Sequence, residues 1–342
     1  MNNKLIALAV AASVTAGLAA PLAASAGVET KWFGFTQITA QSLSQNKATE
    51  TDGLVFGADR VRIGYKLKDG KVFGKLQIDF NKTDTTASEG STSQIIKDAI
   101  AGYKFSNAAK VSLGQFKTPV GMDFNTSGKK LDITKRGMEK KLVLERTAGA
   151  MISGRKIAGG VGYDLFYGNV AGRSSAVNTG TTGKDNTVAG RVSYDMGKLM
   201  HAELSYGSSS TDGGTDYKVT DFAMAYKRGP ITGKFEYVIG KGAKNVSNAK
   251  EKVWFLHLGY QFSKMFEGVI RHYEAKDDVT NLKLGNTYLG ANIFAGSNKT
   301  NGRLQLNYVV VSGDDIDATT TYNGTAKGYT DSAILVQYQV SF

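Results

Sequence analysis

Residues 72–80, VFGKLQIDF, sort into two faces: Val72, Gly74, Leu76, Ile78 and Phe80 on one, Phe73, Lys75, Gln77 and Asp79 on the other. A period of two with one apolar and one polar side describes a strand lying between two different media. The same division recurs in 187–196, where Val188, Gly190, Val192, Tyr194 and Met196 oppose Thr187, Ala189, Arg191, Ser193 and Asp195. It recurs in 303–310, with Leu304, Leu306, Tyr308 and Val310 against Arg303, Gln305, Asn307 and Val309. Followed along the chain, the pattern predicts sixteen strands, at 29–39, 55–67, 71–82, 94–105, 108–117, 143–153, 158–169, 186–196, 199–208, 217–227, 231–240, 251–262, 265–275, 286–295, 300–312 and 330–342.

The links between these strands carry the topology. Short ones (Lys68-Asp69-Gly70, Ser106-Asn107, Gly197-Lys198, Arg228-Gly229-Pro230, Ser263-Lys264, and the stretches 154–157 and 296–299) alternate with long polar ones near 40–54, 83–93, 118–142, 170–185, 209–216, 241–250, 276–285 and 313–329. A soluble sandwich has no reason to sort its links by length, whereas an outer-membrane barrel has short periplasmic turns and long external loops. Lipid leaves no partner for an unpaired backbone group, so strands cross it only as a closed sheet. Sixteen strands enclose a water-filled lumen. The expected fold is therefore all-β, a sixteen-stranded antiparallel transmembrane barrel. Pro119 and Pro230 fall in links, as strands that must all donate to a ladder require.

The two ends agree with export. Met1–Lys4 is a positive start, Leu5–Ala20 is apolar or small, and Ala24-Ser25-Ala26 supplies an A-x-A site. Residues 1–26 thus read as a signal peptide and 27–342 as the barrel domain. The chain closes on LVQYQVSF, with Val336, Tyr338, Val340 and Phe342 on one face. This resembles the last strand of Gram-negative outer-membrane proteins, and implies that Tyr338, Val340 and Phe342 form a signal read by the barrel-assembly machinery. With no cysteine, disulfide, thiolate-metal and thiol chemistry are excluded. A formal charge of +12 on an exported chain points to anionic solutes or to lipopolysaccharide phosphates rather than to nucleic acid.

One link breaks the pattern by its length and charge. The stretch 118–142 holds Lys129, Lys130, Lys135, Arg136, Lys140 and Lys141 against Asp123, Asp132 and Glu139, with Lys117 and Arg146 at its flanks. The motif before it, Leu113-Gly114-Gln115-Phe116-Lys117-Thr118-Pro119-Val120-Gly121, resembles the segment preceding the constriction loop of the phosphate-selective porins of the O/P type. That resemblance implies a homotrimeric barrel whose third external loop folds inward, with lysines and arginines conducting anions, phosphate or other oxyanions among them.

Strand phase points the same way on charge. With Val61, Ile63, Tyr65 and Leu67 toward lipid, Arg60, Arg62 and Lys66 face the lumen, as do Lys75, Arg191, Lys234, Arg271 and Arg303. Inward acids are expected at Asp79, Asp164, Glu203, Glu236 and Glu267, giving a transverse field as well as a positive bias. The anion pathway expected from loop and wall together is Arg60, Arg62, Lys66, Lys75, Lys117, Lys129, Lys130, Lys135, Arg136, Lys140, Arg191, Arg271 and Arg303. Aromatics near strand ends, including Trp32, Phe33, Phe35, Tyr65, Tyr103, Phe105, Tyr260 and Phe262, are expected to form the interfacial girdles. His201, His257 and His272 are not ordered with Ser205 into a nucleophile–base arrangement, so no enzyme and no cofactor is expected. A general or cation-accepting porin, or a barrel that anchors a periplasmic partner, would share this architecture.

Overall fold

Sixteen strands form, one for each alternating segment, and they close into a single barrel. They are β1 (Glu29–Leu43), β2 (Gly53–Asp69), β3 (Val72–Asp79), β4 (Ile96–Lys104), β5 (Lys110–Lys117), β6 (Arg146–Ile157), β7 (Val161–Gly168), β8 (Asn186–Met196), β9 (Met200–Ser210), β10 (Tyr217–Arg228), β11 (Ile231–Lys241), β12 (Lys250–Gln261), β13 (Phe266–Asp277), β14 (Lys283–Phe294), β15 (Gly302–Gly313) and β16 (Ala333–Ser341). One short helix, α1 (Met122–Asn125), lies in the link between β5 and β6. The computed structural model describes residues 27–43, 53–81, 95–170, 184–314 and 324–342; the expected signal peptide, 1–26, lies outside these.

Each strand pairs antiparallel with its sequence neighbours, and β1 closes on β16 from Phe35↔Ser341 to Leu43↔Ala333. Closure removes both sheet edges, which is what lipid demands of a strand. The two faces then separate by medium. Leu204, Tyr206, Phe222, Met224, Tyr226, Leu256, Leu258 and Tyr260 are exposed on the outside, while Glu203, Ser205, Asp221 and His257 are buried on the inside of the same strands. A soluble protein would bury the first set, so here the apolar coat is the wall that lipid covers. No helix among the described residues is long and apolar enough to cross a membrane.

Three local departures from the sequence expectation have physical causes. First, β6 begins at Arg146 rather than 143, because Val143 and Leu144 are both fully buried among apolar side chains of the preceding link. Second, β13 and β14 run further than expected, so the connection read as long is only 278–282, while the supposedly short one between β14 and β15 spans 295–301. Asp277 makes the tight link possible, accepting from the Val279 N–H at 2.9 Å and the Thr280 hydroxyl at 3.0 Å. Third, Phe33 and Phe35 do not join the outer girdle. They alternate with Trp32, which is 62% exposed on the lipid side, and so they point inward. Trp32–Tyr65, Tyr103–Phe105 and Tyr260–Phe262 do pair at the short-turn end, with ring centroids 5.1, 4.7 and 4.9 Å apart.

A bulge in β2 also re-aims one side chain. Gln37 pairs with Arg60 and Ile38 with Ala58, leaving Asp59 as the extra residue. Asp59 and Arg60 thereby both turn inward, which is the usual effect of an inserted residue on strand phase. Asp59 accepts from Gln337 at 2.7 Å, and Arg60 donates to Gln37.

Candidate functional site

The link 118–145 crosses the barrel interior. Its apolar residues Val120, Phe124, Ile133, Met138, Leu142 and Leu144 are 1% exposed or less and pack with inward residues of β8 to β13, among them Ala189, Val219, Val238, Phe255 and Tyr273. Burying such side chains is worth about 1.5–3 kcal/mol each, enough to hold a segment that a water-filled lumen would otherwise leave free. Gly121 starts the inward turn at φ 85, a conformation that favours glycine. Lys117 then fixes the helix end: its Nζ donates to the carbonyls of Phe124 and, at 3.1 Å, Thr126.

The tip is tied to the opposite wall by side chains of β1, β15 and β16. Gln37 donates to the Gly128 carbonyl at 3.1 Å, Gln339 to that of Lys129 at 3.2 Å, and Gln337 to that of Thr134 at 3.2 Å. Arg303 donates to the Leu131 carbonyl at 2.9 Å, and the Thr134 N–H donates to Asn307 at 2.9 Å. A segment without regular structure satisfies its backbone this way, through amides projecting from strands that already satisfy their own.

Ion pairs complete the anchorage. Arg271 is closed off from solvent and meets Asp123 at 3.3 Å and Asp132 at 2.7 Å. It also donates to the Tyr273 hydroxyl at 2.9 Å and lies over the Phe255 ring at 4.4 Å. Lys234 joins Asp132 at 2.6 Å. Burial alone would raise the Asp132 carboxyl, but Lys234, His257 and Arg271 outweigh it and hold it below the usual carboxylate range.

Glu139 is the opposite case. It is 1% exposed, and neither carboxyl oxygen has a hydrogen-bond partner among the described residues. Burial first, and then the neighbouring Asp123 charge, push its carboxyl up from the ordinary 4.5 to about 7, against the opposing pull of Arg271 and Arg136. A raised folded value means that the protonated form favours docking: this stabilisation is full below 4.5 and lost as pH rises through about 7. Glu139→Gln is therefore expected to raise thermal stability at pH 8 and to flatten its dependence on pH between 4.5 and 7, measured by a melting series in detergent. A variant as pH-dependent as the parent would place the titration elsewhere.

On the other side of the loop, toward β1–β6, a cavity of about 720 Å³ stays open. Its walls carry Lys31, Arg62, Lys66, Lys75, Lys110, Lys117, Lys129, Lys130 and Arg146 against one acidic side chain among the described residues, Asp98. Several of these charges are already met: Arg62 by Asp79 at 2.8 Å, Arg146 by Asp98 at 3.0 Å, and Lys75 also by Asp98. Lys66, Lys129 and Lys130 meet no carboxylate among the described residues and line the open space. Burial, followed by the nearby charges of Lys130, Lys31 and Lys66, holds the Lys129 ammonium below its ordinary range, the effect expected where like charges crowd. A second cavity of about 490 Å³, toward β8–β15, is mixed in sign, with Lys198, Lys227, Lys234 and Lys299 facing Asp132, Asp195 and Glu267. Lys130 borders both.

The thirteen residues expected in an anion pathway thus divide. Lys66, Lys75, Lys129 and Lys130 share the basic cavity with Arg62 and Lys117, although Lys117 spends its ammonium on loop carbonyls. Arg60 lies against Gly128 and Gln37 beneath the loop. Arg136 donates to the Asp123 carbonyl at 3.0 Å within the loop itself. Lys135 pairs with Asp59 at 3.3 Å and Lys140 with Glu145 at 3.3 Å. Arg191 is neutralised by Asp164 at 2.7 Å and Glu203 at 3.3 Å. Arg271, 0% exposed, is an anchor of the loop rather than a wall of the open space, whereas Arg303, 4% exposed, both holds the Leu131 carbonyl and borders the second cavity.

Lys31, Lys110 and Arg146 were not singled out as pathway residues, yet they line the cavity. For Lys31 the signal was present: it shares a phase with Gln37, and Phe33 and Phe35 fall between them.

A family model described as phosphate-selective porin O and P matches residues 33–266. No curated protein matches at a significant level. Among solved structures, the anion-selective porin from Comamonas acidovorans superposes with a TM-score of 0.67 at 14% identity, covering 92% of this chain and 100% of that one. Salmonella typhi OmpF in complex with daunomycin gives 0.67 at 13% identity, covering 92% and 98%. The outer-membrane channel DcaP of Acinetobacter baumannii gives 0.59 at 13%, covering 94% and 100%.

Proposed function

Since the chain belongs to the phosphate-selective porin O and P family, we propose that this outer-membrane porin passes small anions by diffusion, using the cavity beside β1–β6 as its selective element and the link 118–145 as its constriction. The observation that carries the reading is the count of charge in that cavity, nine lysines and arginines against one aspartate. Low-dielectric walls of one sign focus the field and concentrate counter-ions, and lysine or arginine rings favour anions and phosphate. Family and fold are those of a channel rather than an enzyme, and the mechanism needs no cofactor. Lys66, Lys129 and Lys130 offer ammoniums without carboxylate partners among the described residues along the path, beside Arg62 and Arg146, whose guanidiniums are paired with carboxylates. Weak, repeated sites of this kind let an ion enter and leave. Export behind the 1–26 segment, assembly through Tyr338, Val340 and Phe342, and a homotrimer contacting lipid and lipopolysaccharide belong to the same proposal.

The test is the reversal potential of the purified protein in a planar bilayer under a KCl gradient, followed by addition of phosphate. An anion-selective sign is expected, with phosphate reducing chloride current if oxyanions are retained. A cation-selective sign would overturn the proposal and leave a general porin, for which the mixed charge of the second cavity would then be the relevant wall.

A further inference from the structure

The basic cavity holds a feature that a small inorganic ion would not use. Phe33 on β1 stands opposite Gly64 on β2, and Phe73 on β3 stands opposite Gly102 on β4. A Cβ added to Gly64 would collide with the far edge of the Phe33 ring, and one added to Gly102 with that of Phe73. Each ring therefore lies along the wall across the neighbouring strand, in the space that a side chain would have filled. A ring in that posture offers a face to the lumen. Both residues are half-buried rather than closed off, and both line the cavity.

Flexible lysines reach over these rings. Lys66 and Lys75 place their Nζ atoms 5.4 and 5.7 Å from the Phe33 centroid, and Lys110 lies 5.4 Å from that of Phe73. These distances approach the roughly 6 Å at which a ring still attracts a cation, so the ammoniums are held weakly and stay available to a solute. Lys66 and Lys110 meet no carboxylate among the described residues, and Lys75 shares Asp98 with Arg146. Two flat apolar faces flanked by three ammoniums match a solute that is itself flat, apolar over its body and anionic at one end.

Resting on the anion-porin reading, we propose that this cavity is selective for planar organic anions, of which an aromatic carboxylate is the simplest, with its ring on Phe33 or Phe73 and its carboxylate among Lys66, Lys75 and Lys110. Phosphate engages only the charges. Aromatic pairs prefer offset or edge geometries and gain beyond the area they bury, which a saturated ring of equal size forfeits.

The experiment titrates benzoate, cyclohexanecarboxylate and phosphate against single-channel chloride current in a planar bilayer. Benzoate is expected to reduce the current at a concentration about threefold to tenfold lower than cyclohexanecarboxylate, which has the same charge and similar size. In the Phe33→Ala/Phe73→Ala protein this advantage should vanish while the reversal potential keeps its anion-selective sign. Phe33→Leu/Phe73→Leu keeps the bulk, lacks the face, and should lose the advantage equally; it serves if the alanine pair does not insert. Equal potency of benzoate and cyclohexanecarboxylate on the unaltered protein overturns the inference with anion selectivity intact, as does a benzoate advantage that survives in the leucine variant. A cation-selective reversal potential in the unaltered protein overturns the underlying reading instead.

Discussion

Replacing Lys66, Lys129 and Lys130 together by glutamate is expected to turn the channel from anion-preferring to cation-preferring. Each of the three lines the open cavity and has no carboxylate partner among the described residues, so its charge is available to a passing ion. A unit charge about 4 Å away contributes ~1 kcal/mol even at the dielectric of bulk water, and ~1.4 kcal/mol is tenfold in an equilibrium. Three reversals should therefore lower the chloride-to-potassium permeability ratio by at least about tenfold. The readout is the reversal potential under a KCl gradient. Folding should survive, because none of the three side chains anchors the loop. The contrasting control is Arg191→Lys, which keeps a positive charge facing Asp164 and Glu203 away from this cavity, so selectivity should barely move. If the triple variant keeps the parental sign, the path of the ion does not run through this cavity.

The second large effect is expected from Arg271→Ala. Its guanidinium, closed off from water, bridges Asp123 and the partly exposed Asp132 of the loop and donates to Tyr273. Removing one partner of a buried pair strands the other, at a cost of about 3–5 kcal/mol. Here two carboxylates lose their shared partner, and Asp132 keeps only Lys234 at 2.6 Å. The strand carrying Arg271 remains paired on both sides, so the loss should fall on loop docking rather than on the barrel. Larger and noisier conductance steps, together with faster proteolysis within 118–145, are the expected outcome. Arg271→Lys should rescue only in part, since one ammonium cannot span both carboxylates and the phenol in fixed geometry. Unchanged conductance with unchanged proteolysis would show that the apolar contacts of Phe124, Leu142 and Leu144 suffice alone.

The barrel was legible because two solvents write it into every strand. Lipid on one side and water on the other force a period of two, and each of the sixteen alternating segments became a strand. The charge of the lumen was legible for the same reason: Lys66 and Lys75 fall on the polar phase and do face inward. What the loop does with its charges was not. Lys117, Lys135, Arg136 and Lys140 read alike in sequence, yet each is met by a different carbonyl or carboxylate. Those partners lie in the loop's own fold or on strands up to about a hundred residues away, and no local pattern encodes them. Arg271 shows the difficulty most clearly. Its inward phase was readable, but whether protein or water would cover it depended on where Asp123 and Asp132 came to rest. Phe33 and Phe35 misled for another reason: aromatic residues near strand ends suit both a lipid interface and a stacking wall, and only the phase shared with Lys31 separates the two.

The carbonyls at the loop tip rest on side chains from both β1 and β16, the first and last strands to be made, through Gln37, Gln337 and Gln339. That platform does not exist until the two ends of the chain have met. The bore is thus completed only with the cylinder: a chain still lacking its final strand has the loop's seat on β8–β13 but lacks part of the rest for its tip. Order of events is in this way built into geometry, and an immature barrel would differ from a finished one in calibre before it differed in shape.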